Sequence, residues 1–131
     1  MTQEDKELLL RDLTARLSYG VKGIITYDKS NTIFTVEGID NNVLHLSDAE
    51  DCYVEDFKPY LRPMSSMTEE EYKDLCNSCT WLWFKNDLRT VTHGDYKCYD
   101  WLNAHHFDYR GLIEKGLALE APEGMYNIKE K

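Results

Sequence analysis

Cys76 and Cys79 form a C-x2-C pair; thirteen residues then separate Cys79 from His93, and four more separate His93 from Cys98. Three thiolates and an imidazole at this spacing could hold a tetrahedral zinc ion. The predicted context favours another role. A helix expected from Thr68 onward places Tyr72, Leu75, Cys76 and Cys79 at i, i+3, i+4 and i+7, the stripe that a helix buries. The cysteines are therefore expected to be buried, reduced thiols, and Cys76, Cys79, His93 and Cys98 stand only as a secondary zinc candidate. A redox pair is disfavoured, since no βαβ pattern surrounds the C-x2-C and no Gly or Pro lies between the thiols.

The second chemical-looking stretch is His105-His106-Phe107-Asp108. Adjacent helical side chains diverge by about 100°, so the two histidines cannot easily chelate one ion. The simpler reading is a joint: the last turn of one helix, a linker plugged by Phe107, and Asp108 as cap of a short helix over 109–115. There is no glycine-rich phosphate loop and no G-x-S-x-G elbow. No catalytic residue, cofactor-binding residue or cofactor is singled out.

The elements that must position these residues can be read in order. Thr2 with Asp5 begins a capped helix over 3–18, whose Leu9, Leu10, Leu13 and Leu17 give an apolar stripe ending at Gly20. Short segments at 21–27, 32–37, 43–47 and 52–55, separated by polar turns, predict an antiparallel meander. Pro59 and Pro63 exclude a helix interior and a central strand, leaving a tight turn at 56–59 and an edge strand at 60–62. The fold class is thus α+β: a small SH3-like antiparallel barrel or meander at about 21–62, an N-terminal helix and a helical C-terminal region. Residues 1–66 and 67–131 are expected to pack as one compact unit.

Thr68 with Glu71 is a capping box, Met67 and Tyr72 a hydrophobic staple, and the helix should run over 69–79. "TWLWF" is extended, with Trp81 and Trp83 on one face; residues 85–94 form a loop or loose hairpin. Asp95 caps a helix to about 105.

"KPYLRPMSSMTEEE" and "WLNAHHFDYRGLIEKGLALEAPEGMY" resemble small uncharacterised proteins of Bacteroides-type gut bacteria, often encoded in prophages or other mobile regions. The resemblance covers about residues 58–126. It implies a bacterial or phage cytoplasmic origin and an accessory role, and brings no activity or site with it.

The chain carries a net charge of −9. Between Glu37 and Asp74, eleven acids face three bases (Lys58, Arg62 and Lys73), leaving −8 in that stretch. Such a field repels phosphate backbones, so nucleic acid is not an expected partner. No apolar run is long enough for a membrane span, and no signal peptide is visible, so a cytoplasmic protein is expected. Nine tyrosines and three tryptophans in a short chain point to a non-enzymatic interaction module, which binds a protein partner or itself. Trp81, Trp83, Tyr53 and Tyr60 are its candidate contacts. Two alternatives remain at this level: an acidic inhibitor that imitates nucleic acid, and a small metal-dependent enzyme or zinc-stabilised protein.

Overall fold

Thr2 caps the first helix as its spacing predicts. Its hydroxyl accepts the Asp5 N–H at 3.0 Å, and the Asp5 carboxylate accepts the Thr2 N–H at 3.3 Å. Helix α1 covers Gln3–Arg16 and passes into a 3-10 turn, Leu17–Tyr19, closed by Gly20 at φ +71°. The buried stripe is Leu9, Asp12, Leu13 and Arg16, so half of it is charged. Leu10 and Leu17, expected inside, are only partly buried. Arg16 straddles Asp12 with Nε to Oδ2 at 2.8 Å and Nη2 to Oδ1 at 3.2 Å, and neither side chain is exposed at all.

The structure, a computed structural model, describes residues 1–47, 49–79, 82–85 and 90–126, with backbone alone for 82–85 and 90–94. The strands are β1 Lys22–Ile25, β2 Phe34–Asp40, β3 Val43–Leu46, β4 Cys52–Tyr53, β5 Phe57–Leu61, β6 Leu82–Lys85, β7 Thr90–Gly94 and β8 Leu119–Glu120. Two more helices follow, α2 at Glu69–Ser78 and α3 at Tyr96–Ala104. One sheet has the order β4-β3-β2-β1-β5-β8, and β6 pairs with β7 in a separate hairpin. The chain divides into two compact units, 1–60 with 112–119 and 61–111 with 120–131.

The expected meander is present, but the sheet is open, with β4 and β8 at its two edges, so the closed barrel does not form. A register shift between Val36 and Gly38 interrupts the β2–β3 ladder; β1 pairs with Phe34 and Thr35, while β3 pairs with β2 on both sides of the shift. Such a bulge bends the strand and raises its twist.

Pro59, expected to exclude a central strand, lies within β5, between β1 and β8 in the sheet. The Thr26 N–H donates to the Asp56 carbonyl at 2.8 Å, which sets the phase of the β1–β5 ladder. Gly23 and Pro59 then face each other as a non-hydrogen-bonded pair, where β1 needs no N–H from residue 59. Gly23 is demanded at the same place. A Cβ there would lie 2.5 Å from the Phe57 ring and 2.4 Å from the Lys58 carbonyl oxygen.

In the second unit, Met67, Leu75, Cys98, Trp101, Leu102 and Phe107 form the apolar core. The capping box on α2 is complete, and Asp95 caps α3 by accepting the Cys98 N–H at 3.2 Å. The helix expected over 109–115 is replaced by turns. Gly111 and Gly116 adopt φ of +75° and +77°, and right-handed helix cannot continue through either. No helix among the described residues is long and apolar enough to cross a membrane.

The ion pair inside α1 yields a test. Removing one partner of a buried pair leaves an uncompensated charge, which costs roughly 3–5 kcal/mol. Asp12→Ala should therefore lower the unfolding free energy by about that amount in urea titrations. The Asp12→Ala/Arg16→Met double variant should lose less than the sum of the two single losses.

Candidate functional site

The His105–Asp108 joint is a helix stop of defined geometry. The His106 N–H donates to the Asn103 carbonyl at 3.1 Å and the Phe107 N–H to the Leu102 carbonyl at 3.0 Å. With His106 at φ +62°, this is a Schellman motif, and Leu102 and Phe107 supply its hydrophobic contact. Glycine is usual at that left-handed position. Here the buried imidazole stacks on Tyr126, with centroids 3.7 Å apart. His105 stacks on Trp101 at 3.8 Å, and its Nδ1 meets the Trp101 carbonyl at 2.9 Å. Both histidines are thus part of the helix ending. Asp108, expected to cap a helix, instead donates its backbone N–H to the Arg62 carbonyl at 2.8 Å.

Arg62 completes the joint. Its N–H donates to the His106 carbonyl at 2.8 Å, and its guanidinium lies 4.1 Å above the Phe107 ring. The same guanidinium grips Glu71 through two hydrogen bonds of 2.7 and 2.8 Å. Burial alone would raise the Glu71 carboxyl, but hydrogen bonds from Arg62 and Thr68 and the guanidinium charge together hold it below its ordinary value. A cleft of about 540 Å³ opens beside this arrangement, between Arg62–Thr68 and Glu120–Tyr126.

The cysteines divide. Cys98 is buried and hydrogen-bonded to Cys79, which lies just past the end of α2 in extended backbone. Cys76, expected inside with them, is exposed. The stripe turns inward at Tyr72, Leu75 and Cys79, and the adjacent position falls on its solvent side. Burial pushes the Cys98 thiol up to about 12 and the Cys52 thiol up to about 11, with neighbouring acidic and thiol groups adding to the rise. Among the described residues, no three His, Cys, Asp or Glu side chains are gathered so as to hold a metal. The His93 side chain lies outside the described residues, although the β6–β7 register sets its backbone opposite Trp83.

Of the predicted contact residues, Trp81 and the Trp83 side chain also lie outside the described residues, and Tyr60 is half-buried in β5. Tyr53 is 59% exposed on the edge strand β4. Tyr27, not anticipated, is 66% exposed in the β1–β2 connection. Together with Val43, Asp51, Cys52 and Asp56, the two tyrosines line a groove of about 360 Å³ in the first unit. Asp51 meets His45 Nδ1 at 2.9 Å. Aromatic faces beside carboxylates suit an amphipathic or cationic group and provide no nucleophile–base pair.

Two measurements check these sites. Because the folded Glu71 carboxyl titrates below its unfolded value, its stabilising contribution is complete above the unfolded value, near 4.5. It disappears as pH falls through the folded one. The stability gap between wild type and Glu71→Gln should therefore be largest near neutral pH and narrow steadily in denaturation curves below pH 4.5. In alkylation at pH 8 followed by mass spectrometry, Cys76 should be modified first. Cys52 and Cys98 should react only on unfolding, since buried thiols with raised pKa supply little thiolate. Equal labelling of all four would refute the assigned burial. Comparison with known protein families, curated proteins and solved structures finds no match to this chain.

Proposed function

We propose that this chain is a non-enzymatic protein-interaction module, an accessory protein of bacterial or phage origin acting in the cytoplasm. The observation that carries the reading is the groove between Tyr27 and Tyr53. Two large aromatic side chains stand exposed around one hollow, beside an edge strand and flanked by carboxylates. Tyrosine brings a large contact area at low entropy cost, which makes it a favoured anchor in interfaces. An SH3-like reading of the first unit is supported by its strand order, in which the fifth strand returns to pair with the first after a 3-10 turn at Val54–Asp56.

The alternative, an acidic inhibitor imitating nucleic acid, draws on the exposed carboxylates of Glu37, Asp40, Glu50 and Asp51. It predicts binding that vanishes in high salt and is indifferent to the tyrosines.

The test is affinity capture from the native host with mass spectrometry, run with wild type and with a Tyr27→Ala/Tyr53→Ala variant of unchanged unfolding midpoint. The reading expects a protein retained by wild type and depleted about tenfold or more by the variant, the scale of losing one good anchor. An identical captured set for both chains would remove the groove as the interface.

A further inference from the structure

The groove has a chemistry specific enough to name what enters it. We infer that it receives the guanidinium group of an arginine carried on an extended, basic segment of the partner. This rests on the interaction reading above and goes further by fixing the partner's chemistry.

Three observations support it. The first is charge. Among the described residues, the charged groups lining the groove and the hollow on the other side of Tyr27 are Asp28, Glu50, Asp51 and Asp56 with Lys29, and His45 meets Asp51. The Asp28 carboxylate is already engaged by the Ser30 N–H at 3.0 Å and the Ser30 hydroxyl at 2.8 Å. Asp56, together with the Asp51 carboxylate that meets His45, therefore supplies the negative charge lining the groove, and an anionic ligand would be repelled.

The second is aromatic surface. A cation over a tyrosine face is attracted by the ring quadrupole. A guanidinium is planar, weakly hydrated and able to bind a carboxylate with two parallel hydrogen bonds while it stacks, which an ammonium cannot do. A groove of about 360 Å³ has room for one such side chain and no folded element.

The third is rigidity. The Tyr27 wall is fixed by the Thr26 N–H and hydroxyl donating to the Asp56 carbonyl at 2.8 and 3.2 Å. The loop beyond it is set by Asp28, Ser30 and Thr32. The Tyr53 wall is fixed by its pairing with Val43 and by the Val54 N–H donating to the Asn42 carbonyl at 2.8 Å. The walls are thus held by backbone contacts, leaving the aromatic faces available and reducing the ordering cost of binding.

The experiment follows backbone amide shifts of the isotope-labelled chain during titration with N-acetyl-triarginine amide, with trilysine and tricitrulline counterparts as probes. Citrulline keeps the arginine shape without its charge. Triarginine should move the amides of Tyr27, Asp51, Tyr53 and Asp56; trilysine should bind more weakly and tricitrulline not detectably. Tyr53→Ala and Asp56→Asn should each weaken triarginine about two- to fivefold, the scale of an exposed cation–π contact, with the remaining spectrum unchanged. Equal shifts from triarginine and trilysine, spread over Glu37, Asp40, Glu69 and Glu70, would overturn the inference in favour of diffuse attraction. So would the absence of any shift. Capture that depends on the tyrosines, without a groove response to triarginine, would leave the interaction module standing and refute only the arginine. A local triarginine response with no tyrosine-dependent capture would do the reverse.

Discussion

The second unit depends on Arg62. One residue supplies backbone hydrogen bonds to both sides of the His106–Asp108 segment, a guanidinium plane over Phe107, and two charge-assisted bonds to Glu71. Glu71 in turn closes the capping box of α2 by accepting the Thr68 N–H at 3.0 Å. The end of α3 and the start of α2 are therefore tied to one side chain. A lysine there could neutralise Glu71, but it could not present a flat face to Phe107 and a two-point grip at once. Trp101 adds a second tie between the helices, donating its indole N–H to Asp74 at 2.8 Å.

This arrangement explains which parts of the fold were legible in sequence. Signals confined to a few neighbouring residues read correctly: Thr2 with Asp5, Thr68 with Glu71, Asp95 before α3, and the turn clusters between β1 and β4. Signals that need a distant partner did not. The leucine stripe of α1 gives no sign that Asp12 and Arg16 lie inside, because a buried ion pair and an exposed one share the same i, i+4 spacing. Pro59 is expected in a turn before an edge strand, because its place in β5 depends on the phase of a ladder with Gly23, 36 positions away. The helix expected after Asp108 does not form because the left-handed backbone of Gly111 breaks the run near its start. Barrel closure is likewise a long-range property, and short strands in series do not decide it.

The site was legible only in outline. Composition points to an acidic surface bearing aromatic side chains, and Tyr53 stands among the expected contacts. Tyr27 does not. In "VKGIITY" it shares the alternation of Gly23 and Ile25, which predicts an inward side chain, but β1 ends at Ile25 and the backbone turns before Tyr27. The Asp28 N–H donating to the Ile25 carbonyl at 3.0 Å marks that turn. A residue two steps past a strand end loses the facing rule that governs the strand, and the sequence alone carries no mark of where the strand stops.

The same distinction bears on the acids, whose sum says less than their placement. Asp12 and Glu71 are spent inside the fold on guanidinium partners, while Asp5, Asp28 and Asp95 satisfy backbone N–H groups at helix starts and a turn. None of these five is a carboxylate left over for a partner, so the net charge overstates what is available at the surface. Removing them from consideration leaves a less uniform field and gives greater weight to the carboxylates beside exposed aromatic groups. Asp51, just before β4, stands there with Asp56, the last residue of the 3-10 turn that joins β4 to β5. The backbone around that turn is committed to sheet and turn hydrogen bonds, with the Thr26 N–H on the Asp56 carbonyl and the Val54 N–H on the Asn42 carbonyl. Placement and existing partners, rather than the number of acids, decide what an approaching charge meets.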